Sequence, residues 1–428
     1  MNDITHTSPK PLFDTLEEVV AFYKTLQESE NSSKLILDWL QECLTSDSIM
    51  ETEFIIPEFQ LSLNFLYSYR GSPDTFNAYR RELERFVTWC WFIKKTAIVN
   101  IKRLDIEEFI EFSQQPPLSW IGTKTVARFQ NENGRRIPNP EWRPFIVKVS
   151  KAAFQVGKTP NIKQFKLSNT AIKQIFTILS SFYQFLIQEE ATEANPLMQV
   201  RQKSKFLRKE PTLKQIRRLS DTQWAAVLKI TAELAEKKPD HYERSLFILS
   251  CLYGMYLRIS ELASSSRWSP KMGDFFRDAD NNWWFKTVGK GNKFRQIAVS
   301  PLVLTALKRY RTYLGLTPLP HPEEDIPLIS KEKNSLHPIS STRPIRKLVQ
   351  ECFDSAIAYL ISTEQIDEAD MLKSATVHWL RHTGISDDVK HRPREHVRDD
   401  AGHSSSAITD RYIDVALAER AKSAKNKR

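Results

Sequence analysis

Residues 376–412 read TVHWLRHTGISDDVKHRPREHVRDDAGHSSSAITDRY, and the interpretation of the whole chain depends on them. The segment HWLRHT has the spacing of a helix, which places His378 and Arg381 on one face. Towards the other end, GHSSSAITDRY adds the imidazole of His403 and, nine residues later, the phenol of Tyr412. A fixed cation, imidazoles and a phenol in one short segment predict an anion handled beside a phenolic nucleophile. For a basic chain, the anion that we expect is a phosphodiester.

The composition predicts a globular protein with a polyanionic partner. The chain has 428 residues, 41% of them hydrophobic, which is enough for two or three domains with sizeable cores. Its formal net charge of +10 favours nucleic acid ahead of a membrane surface, although solubility alone is compatible with such an excess. Its four cysteines lie far apart, which is typical of buried thiols in a reducing compartment. With no signal peptide and no apolar run of membrane-spanning length, we expect a cytoplasmic, nucleoid-associated bacterial protein.

The first half of the chain predicts two helical regions. Amphipathic segments in residues 1–68 indicate a small leading helical module. Residues 69–204 indicate a helical DNA-binding domain, whose strongest helix is SPDTFNAYRRELERFVTWCWFIKK at 72–95, opened by Ser-Pro-Asp. Arg80 and Arg81 lie off the apolar stripe of this helix, on a face that fits DNA. A solvated basic face is the other explanation for these charges.

An irregular basic insert interrupts this domain near residues 115–163. It has no periodicity, and long irregular segments inside compact domains are usually functional or mobile. Its candidate DNA contacts are Arg128, Arg135 and Arg136, which alternate along the chain with Trp120, Phe129, Trp142 and Phe145. Cations interleaved with aromatic rings predict phosphate contacts combined with stacking on bases.

A basic tract joins the two halves of the chain. Residues 201–218 contain eight lysines or arginines and one acidic residue. This composition is suited to binding the phosphate backbone of DNA and poorly suited to a hydrophobic core. The candidate contacts are Lys203, Lys205, Arg208 and Lys209. We therefore place a domain boundary near residue 205 and an interdomain linker at 205–218. A solvated tether is equally compatible with this composition.

Residues 219–428 predict a second domain. The segment ERSLFILSCLYGMYLRISELA, at 243–263, is apolar almost throughout and predicts a buried helix. Arg258 lies inside it and therefore needs a partner or a ligand. Further on, NWWFKTV and KFRQIAVS predict two antiparallel strands, joined by the tight turn GKGN that projects Lys290 outward.

Four motifs, LRISEL, VGKGNKFRQIAV, HWLRHT and AGHSSSAITDRY, resemble in order and spacing the catalytic domain of the tyrosine recombinase (phage integrase) family. The resemblance covers residues 219–415. More loosely, residues 72–196 are similar to the family's helical core-binding domain. The resemblance implies a mainly α fold with a small antiparallel β-sheet, in which the core-binding domain and a mixed α+β catalytic domain clamp double-stranded DNA in a C shape. It also implies strand cutting and rejoining through a 3′-phosphotyrosine, without metal, cofactor or ATP.

The resemblance assigns catalytic roles by position. The matching residues are Arg258, Lys290, His378, Arg381, His403 and Tyr412, with Glu261 as a supporting acid and Lys293 as a competitor of Lys290. The arginines and the second histidine stabilise charge on the non-bridging phosphate oxygens in this scheme. The first histidine is the candidate base for the tyrosine, and the lysine the candidate acid for the leaving 5′ oxygen.

Three residues depart from the family pattern. Tyr256 stands where a glycine is usual, and we expect it to tighten the packing behind Arg258. Asp400 and Ala401 replace large apolar residues, in a segment with unusually many charges. The minimal family plan has no counterpart for the leading module or the irregular insert. The leading module favours an integrase of a mobile element over a chromosomal recombinase.

Other interpretations stay open at this point. A type IB topoisomerase uses similar residues, although the GKGNK hairpin and short tail are more typical of a recombinase. A DNA-binding protein with vestigial catalytic residues belongs to a different class and predicts no covalent adduct. A metal site formed by His378, His382 and His403 is disfavoured, because no acid completes an HExxH motif and an arginine lies between the first two. The recombinase interpretation further implies a dimer on each DNA site and a tetramer in the synapse.

Overall fold

The computed structural model describes residues 8–44, 52–198, 200, 217–289, 291–333, 335–412 and 424. The chain divides into two compact units, residues 1–212 and 213–428. Five residues with predicted roles lie outside the described residues: Lys203, Lys205, Arg208, Lys209 and Lys290. Across the described residues, no helix is both long enough and apolar enough to cross a membrane.

The first unit is built mainly from helices. Those described are α1 (Leu16–Glu28), α2 (Ser32–Cys43), α3 (Thr52–Ser68), α4 (Pro73–Trp89), α5 (Arg103–Gln114), α6 (Lys151–Gln155) and α7 (Asn169–Gln188). The helix predicted at 72–95 is confirmed as α4, with Pro73 at its first position and Asp74 in its first turn, where both are favourable. It continues as a π-helical turn, Cys90–Lys94.

The leading segment packs into the first unit and is no separate module. Leu12, Phe13 and Phe59 belong to the same buried core as Phe86 of α4 and Phe182 of α7. The rings of Phe13 and Phe59 stack with their centroids 5.1 Å apart. Short amphipathic helices need a partner surface for their apolar faces, and α4 and α7 supply it here. The structure therefore differs from the predicted division at residue 68.

The predicted irregular insert contains short strands and an apolar core. Strand β1 (Ile121–Gly122) pairs in parallel with β4 (Phe145–Ile146), and β2 (Phe129–Glu132) forms an antiparallel hairpin with β3 (Arg135–Pro138). The four aromatic residues predicted to stack on bases, Trp120, Phe129, Trp142 and Phe145, are at most 7% exposed. The predicted stacking is therefore wrong, since these rings are buried in the protein core.

Three of the arginines predicted to contact DNA bind acceptors within the first unit. Arg128 forms an ion pair with Glu84, and Arg136 donates to both carboxylate oxygens of Asp14 at 2.6 and 3.0 Å. Arg80 donates to the backbone carbonyl of Asp14, and burial lowers its pKa to about 10. Asp14 and Glu84 are themselves buried, so each carboxylate needs its cation. This internal pairing argues against DNA contact by Arg80, Arg128 and Arg136.

Arg81 and Arg135 are more accessible than these three. The side chain of Arg81 is 43% exposed, although it also pairs with Glu82 at 2.7 Å. Arg135 is exposed on strand β3. Their contact with DNA stays a prediction.

Replacing Arg128 with alanine tests its internal role. Arg128→Ala leaves the Glu84 carboxylate buried without its cation, and we expect the free energy of unfolding to fall by about 3 kcal/mol. The matched variant Arg135→Ala, at an exposed position of the same insert, is expected to change it by less than about 0.5 kcal/mol. Urea denaturation of the full chain, followed by tryptophan fluorescence, measures both. Equal stability of the two variants would contradict the internal role of Arg128.

The second unit combines helices with one small antiparallel sheet, as predicted. Its described helices are α8 (Asp221–Lys237), α9 (Pro239–Gly254), α10 (Ile259–Leu262), α11 (Pro301–Tyr313), α12 (Thr342–Ser362), α13 (Ile366–Leu372), α14 (Val377–Asp388), α15 (Arg394–Ala401) and α16 (Ser406–Thr409). The sheet has the order β5 (Phe275–Arg277), β6 (Trp283–Gly289), β7 (Lys293–Ala298). The predicted hairpin is confirmed by the pairing of Gly289 with Lys293, whereas the sequence analysis missed β5.

The long buried helix predicted at 243–263 is interrupted in the structure. Helix α9 ends at Gly254, and Tyr256 takes a left-handed conformation with φ of 50°. The chain then restarts as α10, for which Arg258 is the N-terminal cap. A pattern of apolar residues cannot reveal such a break, because the residues on both sides of it are buried. Because of the break, Arg258 does not continue the helix of α9.

Candidate active site

Five of the six residues predicted to be catalytic line one cleft of the second unit, with a volume of about 620 Å³. They are Arg258, His378, Arg381, His403 and Tyr412, and Lys293 of the hairpin also lines the cleft. They come from four separate stretches of the chain: the α9–α10 break, strand β7, helix α14 and the segment after α15. The sixth, Lys290, lies outside the described residues.

Helix α14 holds Arg381 almost fully buried at 2% exposure. Its guanidinium donates to the backbone carbonyls of Tyr256 and Ala401, the latter at 2.5 Å. The helix comes this close to α9 because residue 384 is glycine: a Cβ there would collide with the carbonyl oxygen of Tyr253. Two backbone acceptors therefore fix the direction of the Arg381 side chain.

Glu261 joins two further guanidinium groups behind the cleft. Its carboxylate pairs with Arg258 at 2.9 Å and with Arg295 at 2.8 Å, and it also accepts from the backbone N–H of Arg258 at 2.7 Å. Glu261 is 3% exposed, so it supports the arginines from the protein side. Its role as a supporting acid in catalysis stays a prediction.

Arg295 is a residue of the site that the sequence analysis missed. Its side chain is 8% exposed, and its Nη1 would lie 2.8 Å from a Cβ at residue 402, where the chain has glycine with φ of 62°. The strand pattern contained a signal for it. Arg295 lies two residues from the buried Ile297 on strand β7, so both side chains point to the same protein-facing side of the sheet.

The cleft carries a surplus of positive charge. Arg258, Arg295 and Arg381 lie together, and Glu261 pairs with the first two. Burial, followed by repulsion from Arg258 and Arg295, lowers the pKa of Arg381 to about 9. A bound anion would relieve this repulsion, and a planar guanidinium forks onto the oxygens of a phosphate or carboxylate.

The phenol of Tyr412 lies beside two imidazoles. Its oxygen is 2.6 Å from Nδ1 of His382, and the ring of His403 stacks on its ring at 5.6 Å between centroids and 17° between planes. Nδ1 of His403 lies 2.9 Å from the hydroxyl of Thr409. Tyr412 is 7% exposed. The side chain of the candidate nucleophile is therefore buried against side chains of the second unit.

His382, and not the predicted His378, contacts the phenol oxygen. His378 is more exposed than His382, and the two rings meet edge-on with centroids 4.2 Å apart. The sequence analysis noted His382 only as a metal ligand, on the helical spacing of four from His378. That spacing puts both imidazoles on the face of α14 that meets Tyr412. The sequence analysis could therefore have named His382 as a second candidate base.

All three imidazoles have lowered pKa values. Burial lowers the pKa of His382 to about 4, helped by His378, Arg381 and His403. Burial, with the neighbouring arginines, lowers the pKa of His403 to about 4 as well. The pKa of His378 is lowered by the same causes. At neutral pH His382 and His403 are therefore uncharged, and each has one ring nitrogen free to accept a proton.

A partly buried polar network contains two of the residues that depart from the family pattern, Tyr256 and Asp400. The hydroxyl of Tyr256 donates to Asp388 and accepts from Arg392 at 3.1 Å. Arg392 pairs in turn with the buried Asp400 at 2.6 Å, and Asp400 accepts from the N–H of Ala298 at 3.1 Å. The network contacts the side chain of Tyr256, whose backbone is left-handed, and the carbonyl of Tyr256 accepts from the guanidinium of Arg381.

Asp400→Asn tests this network. The change removes the charge that pairs with Arg392, and we expect the free energy of unfolding to fall by about 2 kcal/mol. Asp399→Asn is the matched control, because the neighbouring carboxylate is 64% exposed and pairs with the adjacent Arg398. Denaturation of the full chain measures both. A loss no greater for Asp400→Asn than for Asp399→Asn would rule the network out as a stabilising element.

The lowered histidine pKa values predict a pH dependence of stability. Since the pKa of His403 falls from an ordinary value of 6.5 to about 4 on folding, the unfolded chain binds more protons between these values. Stability is therefore lost as the pH falls from about 6.5 towards 4. We expect His403→Asn to flatten this slope and the exposed-site control His391→Asn to leave it unchanged, as measured by thermal unfolding across this pH range.

Comparison with known proteins assigns the second unit to a family. Residues 217–419 match the model described as the phage integrase family. Tyrosine recombinase XerC of Pediococcus pentosaceus is 26% identical over 255 residues, which cover 58% of this chain and 72% of that protein. Tyrosine recombinase XerD of Rickettsia conorii is 27% identical over 154 residues, which cover 35% of this chain and 46% of that protein.

A solved structure supports the fold. The XerH site-specific recombinase, bound to a palindromic difH substrate in a post-cleavage complex, aligns with a TM-score of 0.50 at 14% identity. The alignment covers 98% of this chain and 100% of that chain. The predicted fold class, mainly α with a small antiparallel sheet, is confirmed. Residues 217–419 therefore belong to the phage integrase family, the tyrosine recombinases, whose members cleave and rejoin DNA.

Proposed function

We propose that this chain is a site-specific recombinase that cuts and rejoins DNA through a 3′-phosphotyrosine link on Tyr412. The observation that carries the proposal is the surplus of guanidinium charge in the same cleft as a buried phenol. A phosphodiester gains negative charge on its non-bridging oxygens as a nucleophile attacks. Arg258 and Arg381 carry planar guanidinium groups that are charged at neutral pH, so they suit those oxygens.

The proposed cleavage step is a transfer of the phosphoryl group from DNA to the protein. The phenol of Tyr412 gives its proton to a neighbouring histidine, and its oxygen forms a bond to phosphorus while the bond from phosphorus to the 5′ oxygen breaks. His403 donates to a non-bridging oxygen beside the two arginines. The leaving 5′ oxygen takes a proton from Lys290, to which the family resemblance assigns the role of acid, with Lys293 of strand β7 as the alternative.

The proposed intermediate explains how strands rejoin. A phosphotyrosine link is a phosphodiester, so the energy of the broken bond is conserved. The 5′ hydroxyl of a second strand can attack it, displace the tyrosine and restore a continuous strand. The reaction consumes no ATP, and the arginines take the charge-neutralising role that metal ions fill in many phosphoryl-transfer enzymes.

We infer that the substrate is double-stranded DNA in the bacterial cytoplasm, bound by two copies on each site and four in the synapse. The relatives are named tyrosine recombinases, and the formal charge of +10 suits such a polyanion. Of the predicted contacts, Arg81 and Arg135 keep accessible side chains. The family match begins at residue 217, so we assign the choice of target to the first unit and propose an integrase or excisionase of a mobile element.

Covalent trapping tests the proposed nucleophile and its substrate together. Duplexes tiled from the DNA that flanks the gene are nicked, so that a cleaved strand loses the end needed for rejoining. Incubated in chelator, wild type is expected to form a denaturant-stable protein–DNA adduct, and Tyr412→Phe none, because it lacks the attacking oxygen. Tyr359→Phe, which removes a hydroxyl far along the chain on α12, is the matched control and is expected to form as much adduct as wild type.

Three results would contradict the proposal. An adduct with Tyr412→Phe would assign the nucleophile to another residue. Tight binding to every tile without any adduct from wild type would favour a DNA-binding protein with a vestigial site. Relaxation of supercoiled DNA without exchange between two marked sites would favour a topoisomerase.

A further inference from the structure

The contact between Tyr412 and His382 carries an inference about the proton of the nucleophile. The phenol oxygen and Nδ1 of His382 lie 2.6 Å apart, at the short end of hydrogen-bond distances. Helix α14 places His382 next to Arg381, so the same turn of helix supplies a cation for the phosphate and an imidazole for the phenol. A general base must lie within hydrogen-bond reach of the proton that it takes, and His382 meets this condition.

The other two histidines of the cleft are placed less well for this step. The ring of His403 lies nearly parallel to the ring of Tyr412, 17° between planes, and its Nδ1 contacts Thr409. The lone pair of an imidazole nitrogen lies in the plane of the ring, so a stacked ring does not aim it at its neighbour. His378 meets His382 edge-on, one imidazole further along α14. The geometry thus separates the roles of three imidazoles that the sequence alone groups together.

We propose that His382, through Nδ1, accepts the proton of Tyr412 when the phenol attacks DNA. The inference rests on the proposed recombinase function and deepens it. The O–H bond of the phenol breaks and its proton passes to Nδ1. The freed electron pair of the oxygen forms the bond to phosphorus, and the 5′ oxygen leaves with the electron pair of the broken bond and takes a proton from the lysine of the hairpin.

The charges around His382 favour proton transfer from Tyr412 only after DNA has bound. His378, Arg381, His403 and Tyr412 face the imidazole, and burial with the neighbouring cations lowers its pKa to about 4. In free protein at neutral pH, His382 is therefore uncharged, and in the Nε2–H tautomer its Nδ1 can accept the proton of the phenol. A phosphodiester bound to Arg258 and Arg381 brings negative charge, which offsets the cations and raises the basicity of His382. Proton transfer then becomes easier when DNA is in place.

The first test needs no DNA and concerns the tautomer of His382. If the phenol donates, Nδ1 of His382 is the acceptor and Nε2 carries the ring proton. Long-range ¹H–¹⁵N NMR spectra of full-length ¹⁵N-histidine protein distinguish the two tautomers. We expect the Nε2–H tautomer, with an Nδ1 shift that moves in Tyr412→Phe. An Nδ1–H tautomer, or a shift indifferent to Tyr412→Phe, would overturn the proposal.

The second test measures trapping rates on the nicked duplex found above. His382→Ala is expected to slow adduct formation by about 100-fold, the lower end of general acid–base contributions. His382→Asn places an amide oxygen near the position of Nδ1, which keeps the hydrogen bond but cannot take the proton. We expect it to be as slow as His382→Ala. Recovery of the wild-type rate by His382→Asn would reduce His382 to a positioning residue and overturn the proposal.

A modified leaving group separates the base from the acid. In a duplex with sulfur in place of the bridging 5′ oxygen, the leaving group needs no proton. We expect Lys290→Ala to recover on this duplex and His382→Ala to stay slow. His378→Ala, the rival base on the same helix face, is compared with them, and His391→Ala, at an exposed position outside the cleft, is the control. Recovery of His382→Ala, or a defect confined to His378→Ala, would overturn the proposal. If wild type forms no adduct on any tile, the recombinase function fails, and the tautomer test still decides which atom donates.

Discussion

The site depends on holding three guanidinium groups together inside protein. Arg258, Arg295 and Arg381 repel one another, and Arg295 and Arg381 also lose hydration on burial, which is costly unless acceptors are supplied. The buried carboxylate of Glu261 serves two of them, and the backbone carbonyls of Tyr256 and Ala401 serve the third. The protein thus fixes the cations while leaving part of their charge unneutralised. That remaining charge is what an anionic substrate can use.

The elements around the cleft make these acceptors available. Because α9 stops at Gly254 and the chain turns left-handed at Tyr256, a carbonyl that would otherwise lie in a helix faces the guanidinium on α14. A left-handed tyrosine is unfavourable by about 1 kcal/mol or more. Its hydroxyl, bound to Asp388 and Arg392, offsets that cost. The charged segment before His403 is therefore a structural support for the arginine cluster.

The first unit shows how similar residues serve a different purpose. Its arginines and tryptophans have the composition of a nucleic-acid surface, yet Arg128 pairs with the buried Glu84 and its guanidinium lies 4.8 Å from the centroid of the Trp142 ring. A buried carboxylate requires a cation, and the aromatic rings around it fill volume in the core. Sequence alone does not distinguish a cation that meets DNA from one that meets a carboxylate 44 residues away.

The sequence by itself was sufficient for the family, the hairpin, the main helices and five of the cleft residues, because these depend on local spacing and on motifs that keep their order. Helix spacing in HWLRHT and alternation in KFRQIAVS are properties of neighbouring residues. The break before Arg258, the buried Arg295 and the partner of the Tyr412 phenol depended on tertiary structure. Each is a contact between residues far apart in the chain, and such contacts follow from packing and charge compensation, which no local pattern records.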